Sequence, residues 1–409
     1  MIEFLSLSDK AFGLEITDIS VRVLRLSRKR GKPVVVSASC VPVAEGVMKE
    51  GQVVDEERLA AAVREAMAKV VGEKIKTRRV IIALPDNKAF LQVIKMPNLN
   101  SNDLRAAVIF EAENYIPLPL EKVYLDFEKV EAADAAAEAN NCEVLIAAFP
   151  RDAIDPILRA VSKAGLLPVV LEPESQAVLR VLSSRHPMES PSVIVEIGDT
   201  KTDLIFYSDN SIRYTFSIPI SNRYFLETIA VNANVDLEMA MILKSKYGID
   251  DFSGPLKNID AAGTEEGKDA AGDRRKIFEA LIPGLVDFVQ QMKKCIQYYQ
   301  THDNSRNTAK GAVGKILLCG SGSDLKGLDE FVSLKLNVPV ERVEPPLEVK
   351  LLDRKLKNVI AQDNPCAFSV VMGLAMRSLA QEENAPKKTV KPAPAKTKNV
   401  RAKRAPSKS

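Results

Sequence analysis

Histidine is scarce in this 409-residue chain. There are two, His186 and His302, and both stand in polar, loop-like stretches, so nothing points to a His-built metal site or a catalytic triad. Cysteine is also sparse. Cys40, Cys142, Cys295, Cys319 and Cys366 show no paired spacing, and an odd count without a Cys-x-x-Cys pattern indicates free thiols in a reducing compartment. No apolar run approaches the roughly 20 residues that a membrane-spanning helix needs. The first residues carry Glu3 and Asp9 and lack a basic stretch ahead of their apolar positions, so no secretory signal is expected. These absences together predict a soluble, cytoplasmic protein.

Charge is unevenly placed. The formal net charge is +3, yet Ala385 to Ser409 holds seven Lys, two Arg and no acid, which leaves the preceding residues at −6. A basic body that would bind nucleic acid along one face is therefore not expected. The tail is rich in Lys, Pro and Ala and has too little apolar surface to fold, so residues 381–409 are expected to be disordered. Such a tail fits attraction to an anionic membrane surface, at about 1 kcal/mol per basic residue, or solubilisation alone.

What is present is a repeated pattern. Phe12 to Ile16, Val21 to Leu26 and Val34 to Cys40 read as a β-meander, and Val193 to Ile197, Asp203 to Tyr207 and Ile212 to Ile218 read as a second one. A repeat of about 180 residues is the mark of a duplicated α/β fold. Asp55 caps an expected helix with Leu59, Val63, Met67 and Val70 on one stripe, and Arg79 to Leu84 is a buried strand stopped by Pro85. Phe90 to Met96 is extended. Ser101 is read as the cap of a helix with Leu104, Val108, Ala112 and Tyr115 on one face, ended before Ile116-Pro117-Leu118-Pro119. Strands follow at Val123 to Val130 and Val144 to Phe149, around a loop tip at Ala132 to Asn141. A helix over 153–164 then ends at Gly165. Asp250 to Arg274 reads as an irregular surface loop, and Ile277 to Tyr299 as a long amphipathic helix. The chain closes with a helix from Ala367 to Leu379.

Two segments have the form of phosphate-binding turns. Val193 to Ile197 runs into Gly198-Asp199-Thr200-Lys201-Thr202, where backbone N–H groups and Thr hydroxyls converge. Ile316 to Cys319 runs into Gly320-Ser321-Gly322, followed by a helix with Leu325, Leu328, Phe331 and Val332 on one face.

Three blocks give the chain a resemblance to the actin-like type IV pilus assembly (PilM) family, which is related to the FtsA cell-division proteins. They are Ala83-Leu84-Pro85 through Lys95-Met96-Pro97, Glu111 through Phe127 with its Tyr115-Ile116-Pro117-Leu118-Pro119 and Leu125-Asp126-Phe127, and Cys319 through Leu328 closed by Gly373 to Arg377. The resemblance covers about residues 12–380. It implies an α/β, actin-like (ribonuclease H-like, duplicated) fold of two halves with a small inserted α+β subdomain. The first half would be 1–84, completed by 167–190 and 361–380; the insert 85–166; the second half 191–360.

The resemblance also implies ATP with Mg²⁺ between the halves. The nucleotide would be met by Glu15, Thr17, Ser20, Glu196, Gly198, Thr200, Thr202, Lys244, Gly320, Ser321, Gly322 and Leu325. Glu15 and Glu196 would hold Mg²⁺ through water. Glu15, Thr17, Glu196 and Met241 depart from the family pattern, which points to weak or absent hydrolysis. The implied partner is the cytoplasmic N-terminal peptide of a PilN-like bitopic inner-membrane protein, in a groove between the first half and the insert, with Tyr115, Pro117 and Pro119 helping to shape it. Self-association, an FtsA-like division filament and a small-molecule kinase of the same superfold stay open as alternatives. The filament would call for an apolar C-terminal membrane helix, whereas this tail offers little beyond Val390 and Val400.

Overall fold

The computed structural model describes residues 11–30, 32–130, 141–184, 188, 191–249, 265–302, 312–343, 354–362 and 365–384. Along the chain run β1 (Phe12–Ile16), β2 (Ser20–Lys29), β3 (Lys32–Pro42), β4 (Met48–Lys49), β5 (Gln52–Val53), α1 (Glu56–Ala68), β6 (Val71–Gly72) and β7 (Arg79–Leu84). Then come β8 (Phe90–Pro97), α2 (Ser101–Ala112), β9 (Val123–Val130), β10 (Asn141–Pro150), α3 (Arg151–Lys163), β11 (Leu167–Pro173) and α4 (Glu174–Ser183). The remainder is β12 (Ser192–Ile197), β13 (Thr202–Ser208), β14 (Ser211–Ile218), α5 (Asn222–Ala233), α6 (Leu237–Tyr247), α7 (Glu265–His302), β15 (Lys315–Cys319), α8 (Leu328–Leu336), β16 (Val340–Arg342), α9 (Arg354–Gln362) and α10 (Ser369–Asn384).

The duplication is visible in the sheets. The first has the order β11-β7-β1-β2-β3-β6 and the second β14-β13-β12-β15-β16. In each, an antiparallel meander is extended by two parallel strands, β7 and β11 in one, β15 and β16 in the other. Parallel strands are covered on both faces, and the inner ones, β7 and β15, are accordingly apolar from Val80 to Leu84 and from Ile316 to Cys319. On β12, Val193, Val195 and Ile197 join the core with α5, α7 and α8, while Ile194 points to the opposite core, the alternation that a pleated strand imposes. On β1, Phe12, Leu14 and Ile16 face α1 and α3.

The helices α4 and α10 lie between the two sheets. Ala177, Val178 and Leu182 of α4 and Val370 and Leu374 of α10 share one core with Ile81 of the first sheet and Ile194, Ile205 and Leu317 of the second. Glycine permits the tightest approaches. A Cβ on Gly13 would stand 2.7 Å from the Val371 carbonyl oxygen, and one on Gly373 would stand 2.0 Å from that of Ala177. The small sheet β8-β10-β9 is backed by α2, with Ile94, Val108, Val144 and Ile146 in its own core.

Several elements differ from the sequence reading. Asn100, one residue before the expected Ser101, caps α2, its Oδ1 accepting from the Asp103 N–H at 3.1 Å. The helix ends at Ala112, so Ile116 rather than Tyr115 enters the small core, and Tyr115 is 51% exposed. The long helix α7 begins at Glu265, so 265–274 is helical rather than irregular. α9 was not foreseen. It packs on β3 and β6, with Leu356 and Ile360 in the core of Leu24, Val35 and Phe368, so the first sheet takes the chain back at 354 rather than 361. α3 also packs on α1, through Ile157 and Val161, and belongs to the first sheet rather than to the insert. α10 continues to Asn384, beyond the Gln381 boundary of the expected tail. Of the loop tip expected at Ala132 to Asn141, Asn141 opens β10 and 132–140 lie outside the described residues, as do 250–264 and the expected tail from 385 to 409.

Candidate functional site

A cleft of about 350 Å³ opens between the two halves. The ends of β1 and β2 form one wall, and the β12–β13 turn forms the other. Strand periodicity explains why. Glu15 and Glu196 are the strand-end residues whose neighbours, Ile16 and Ile197, point into the outer cores, so both carboxylates turn inward. Their cross-strand partners differ: Glu15 is opposite Arg22, and Glu196 is opposite Asp203.

That difference shapes the electrostatics. Arg22 donates to Glu15 Oε1 at 3.4 Å and, across the cleft, to Asp199 Oδ2 at 2.5 Å. Ser321 Oγ donates to Asp199 Oδ1 at 2.6 Å. Burial raises the Asp199 carboxyl, but the charge and hydrogen bond of Arg22 with the Ser321 hydroxyl outweigh it and hold the group below its ordinary value. On the Glu196 side, Lys201 bridges Glu174 at 2.7 Å and Asp203. Asp203 also accepts from Ser217. Burial pushes the Glu196 carboxyl well up, with Asp203 and Glu174 adding repulsion. Burial pulls the Lys201 ammonium down, yet Asp203, Glu174 and Asp86 together carry it well above its usual range. Asp86, beside the cleft, accepts from the Ser175 N–H at 2.7 Å and the Ser175 hydroxyl at 2.9 Å. Burial, then Asp203, push its carboxyl up to about 8.

Six of the twelve residues expected at a nucleotide line this cleft: Glu15, Thr17, Glu196, Gly198, Thr200 and Ser321. The others are engaged elsewhere. Ser20 closes the first turn on Thr17, the two hydroxyls 2.9 Å apart. Thr202 is buried and donates to the Ile220 carbonyl at 2.6 Å. Lys244 is 1% exposed and donates to Asn222 and Asp324, each at 2.5 Å. Leu325 is in the core of the second half. Gly322 donates its N–H to Ile197 O, and a Cβ there would meet the Ile197 side chain at 2.3 Å. Gly320 has φ +87°, and a Cβ on it would stand 2.5 Å from Ile197 O and 2.7 Å from Glu196 Oε1. Its freedom serves the meeting of two strand ends. The helix after this turn starts only at Leu328, behind Gly327 at φ +77°, so its N-terminus is not at Gly320.

The sequence reading missed Arg22, Asp199, Glu174, Lys201, Asp86 and Asp203. Glu15 was expected from the resemblance, and the antiparallel register that sets Arg22 opposite it puts Arg22 inward as well. Glu174 and Asp86 offered no signal, because Glu174 opens α4 just after β11 and Asp86 follows the end of β7, more than 80 residues apart in sequence.

A second cavity, of about 370 Å³, is an apolar groove between the small sheet and the first half. Leu125, Phe127, Leu145 and Phe149 line one side, and Leu158, Val170 and Leu171 the other. Arg377 of α10 lines it as well. Tyr115, Pro117 and Pro119 are exposed and are not among its lining residues. With Ile116 rather than Tyr115 buried, that corner faces solvent. Among the described residues, no helix is long and apolar enough to cross a membrane.

The family model for the type IV pilus assembly protein PilM matches residues 13–251, and the model for the cell division protein FtsA matches residues 193–364. Among solved structures, a PilM-PilN type IV pilus biogenesis complex is 25% identical with a TM-score of 0.69, covering 91% of this chain and 99% of that one. The ethanolamine utilization protein EutJ from Carboxydothermus hydrogenoformans shares the fold at 16% identity and a TM-score of 0.51, covering 90% of this chain and 89% of that one. With more than half its length under the one model, and with the duplicated sheets and interlobe cleft described above, the chain belongs to the actin-like type IV pilus assembly protein PilM family.

Proposed function

We propose that this protein is a cytoplasmic scaffold on the inner-membrane platform of a type IV pilus or type II secretion machine. It captures the cytoplasmic N-terminal peptide of a PilN-like bitopic membrane protein in the groove between the small sheet and the first half. The observation that carries this reading is the groove itself. It is apolar, it is bordered by the edge strands β9 and β11, and it belongs to a chain similar over nearly its whole length to a structure solved as a PilM-PilN complex. Edge strands offer main-chain hydrogen bonds, and alternating apolar pockets read side chains.

The same reading gives the cleft a nucleotide. ATP brings several negative charges, and the cleft supplies Arg22 and Lys201 with the turns at Thr17–Asp18 and Gly198–Thr200. Glu15 and Glu196 would face a bound Mg²⁺ through water, and the metal would offset the carboxylates around it. The donor set fits in part, because Lys244, Thr202 and Gly320 serve the protein's own packing. We therefore assign binding of ATP with weak or absent hydrolysis.

Ala147 lines the groove. Ala147→Trp should abolish capture of the PilN-like N-terminal peptide in isothermal titration calorimetry while leaving thermal unfolding near wild type. Undiminished capture would remove the groove reading. Titration with MgATP tests the cleft separately, and an absence of binding heat at several temperatures would remove the nucleotide reading.

A further inference from the structure

The cations that line the interlobe cleft are held by the protein's own carboxylates. Among the described residues, the lining sets Arg22 and Lys201 against six acids, Glu15, Asp18, Glu50, Glu174, Glu196 and Asp199. Lys201 lies between Glu174 and Asp203, which are fixed in regular elements, α4 and β13. Arg22 is held differently. Its Nη1 donates to Glu15 Oε1 at a long 3.4 Å, and its Nη2 donates to Asp199 Oδ2 at 2.5 Å. Asp199 is in the turn between β12 and β13, past the last paired residues Ile197 and Thr202. Both of its oxygens are engaged, since the Ser321 hydroxyl donates to Oδ1 at 2.6 Å. A guanidinium from one half and a hydroxyl from the other thus converge on the two oxygens of one anion. That anion belongs to the turn whose backbone N–H groups would meet a phosphate.

We propose that Asp199 sets the nucleotide affinity of the cleft: its carboxylate stands in for a phosphate group, and a nucleotide reaches Arg22 and Ser321 only by displacing it. This rests on the nucleotide reading above. An arriving phosphate needs the same planar fork and the same hydroxyl, and it is repelled by the carboxylate that holds them. Displacement takes no more than a rotation of one side chain. Asp199 is in no strand ladder, its side chain is 12% exposed, and Glu15 stays beside Arg22 when it leaves. Its backbone is not left-handed, so other side chains fit the turn without strain.

The test is isothermal titration calorimetry of the full chain with MgATP and with magnesium tripolyphosphate, which carries the phosphates without the nucleoside. Asp199→Asn keeps the volume and an acceptor for Arg22 and removes the charge. It should bind both ligands about tenfold tighter than wild type. Equal or weaker binding of MgATP by the variant overturns the proposal. A gain confined to MgATP also overturns it, because Asp199 would then act on the place of the nucleoside and not on that of the phosphates. A crystal structure of the wild type with saturating MgATP tests the same point without a variant. Asp199 should have left Arg22 and Ser321 there, and a retained contact overturns the proposal. If neither wild type nor variant binds MgATP, the nucleotide reading itself fails and this proposal with it.

Discussion

Arg22 on β2 of the first half reaches Asp199 in the β12–β13 turn of the second half at 2.5 Å, with side chains 4% and 12% exposed. Separated by 177 positions in sequence, they tie the two lobes together at the back of the cleft. Ser321 completes the arrangement from a third segment by donating to the same Asp199.

Arg22→Ala should be strongly destabilising. It leaves Asp199 and Glu15 buried without their common cation, and breaking one side of a buried pair costs about 3–5 kcal/mol. Arg22→Lys keeps the charge but gives up the fork that serves two carboxylates, so it should fall between. Urea unfolding of the three proteins checks the order.

Gly320→Ala should cost about 2–4 kcal/mol whether or not nucleotide is present, because the added Cβ meets Ile197 O and the backbone is left-handed there. The measurement is thermal unfolding with and without MgATP. Wild-type stability in the variant would mean that the glycine serves only a ligand.

Gly373→Ala should separate α4 from α10, since the new Cβ would lie 2.0 Å from a backbone oxygen that cannot move alone. About 3 kcal/mol or more is expected, against less than 1 for an Ala change on the exposed side of α5 such as Asn232→Ala. Differential scanning calorimetry distinguishes the two.

Asp86 gives a pH dependence. Its carboxyl stands at about 8 in the folded chain, against an ordinary 3.8. The folded state holds this proton more tightly than the unfolded state. The contribution is therefore complete below about pH 4 and is lost as pH rises towards 8. Asp86→Asn keeps an acceptor for the Ser175 N–H and removes the titration. The fall in unfolding free energy between pH 5 and pH 8 should shrink by on the order of 2 kcal/mol in the variant. An unchanged slope would place the titration elsewhere.

Much of the fold was legible from residue patterns alone. The two meanders, the Asp55 cap, the strand stopped by Pro85 and the Gly165 helix end each rest on local chemistry, and the structure has them where that chemistry puts them. Local patterns failed where two signals competed within one turn. Asn100 and Ser101 are both good caps, and Tyr115 and Ile116 are both apolar. Only the direction in which the helix leaves the small core selected Asn100 and Ile116.

The sequence by itself determined the duplicated halves, because strand alternation and turn residues act over a few positions. Glu15 and Glu196 were expected at the cleft only from the family resemblance, and the structure turns both inward. Their surroundings were decided by tertiary structure alone. Lys244 carries a nucleotide-site pattern but is consumed by Asp324, 80 positions away, and Lys201 gathers Glu174 and Asp203 from two different elements. Charge–charge energies depend on distance and burial, and neither is written in a linear pattern. Likewise Arg377 reaches the groove only because α10 returns to the first sheet and Glu172 holds the guanidinium from behind.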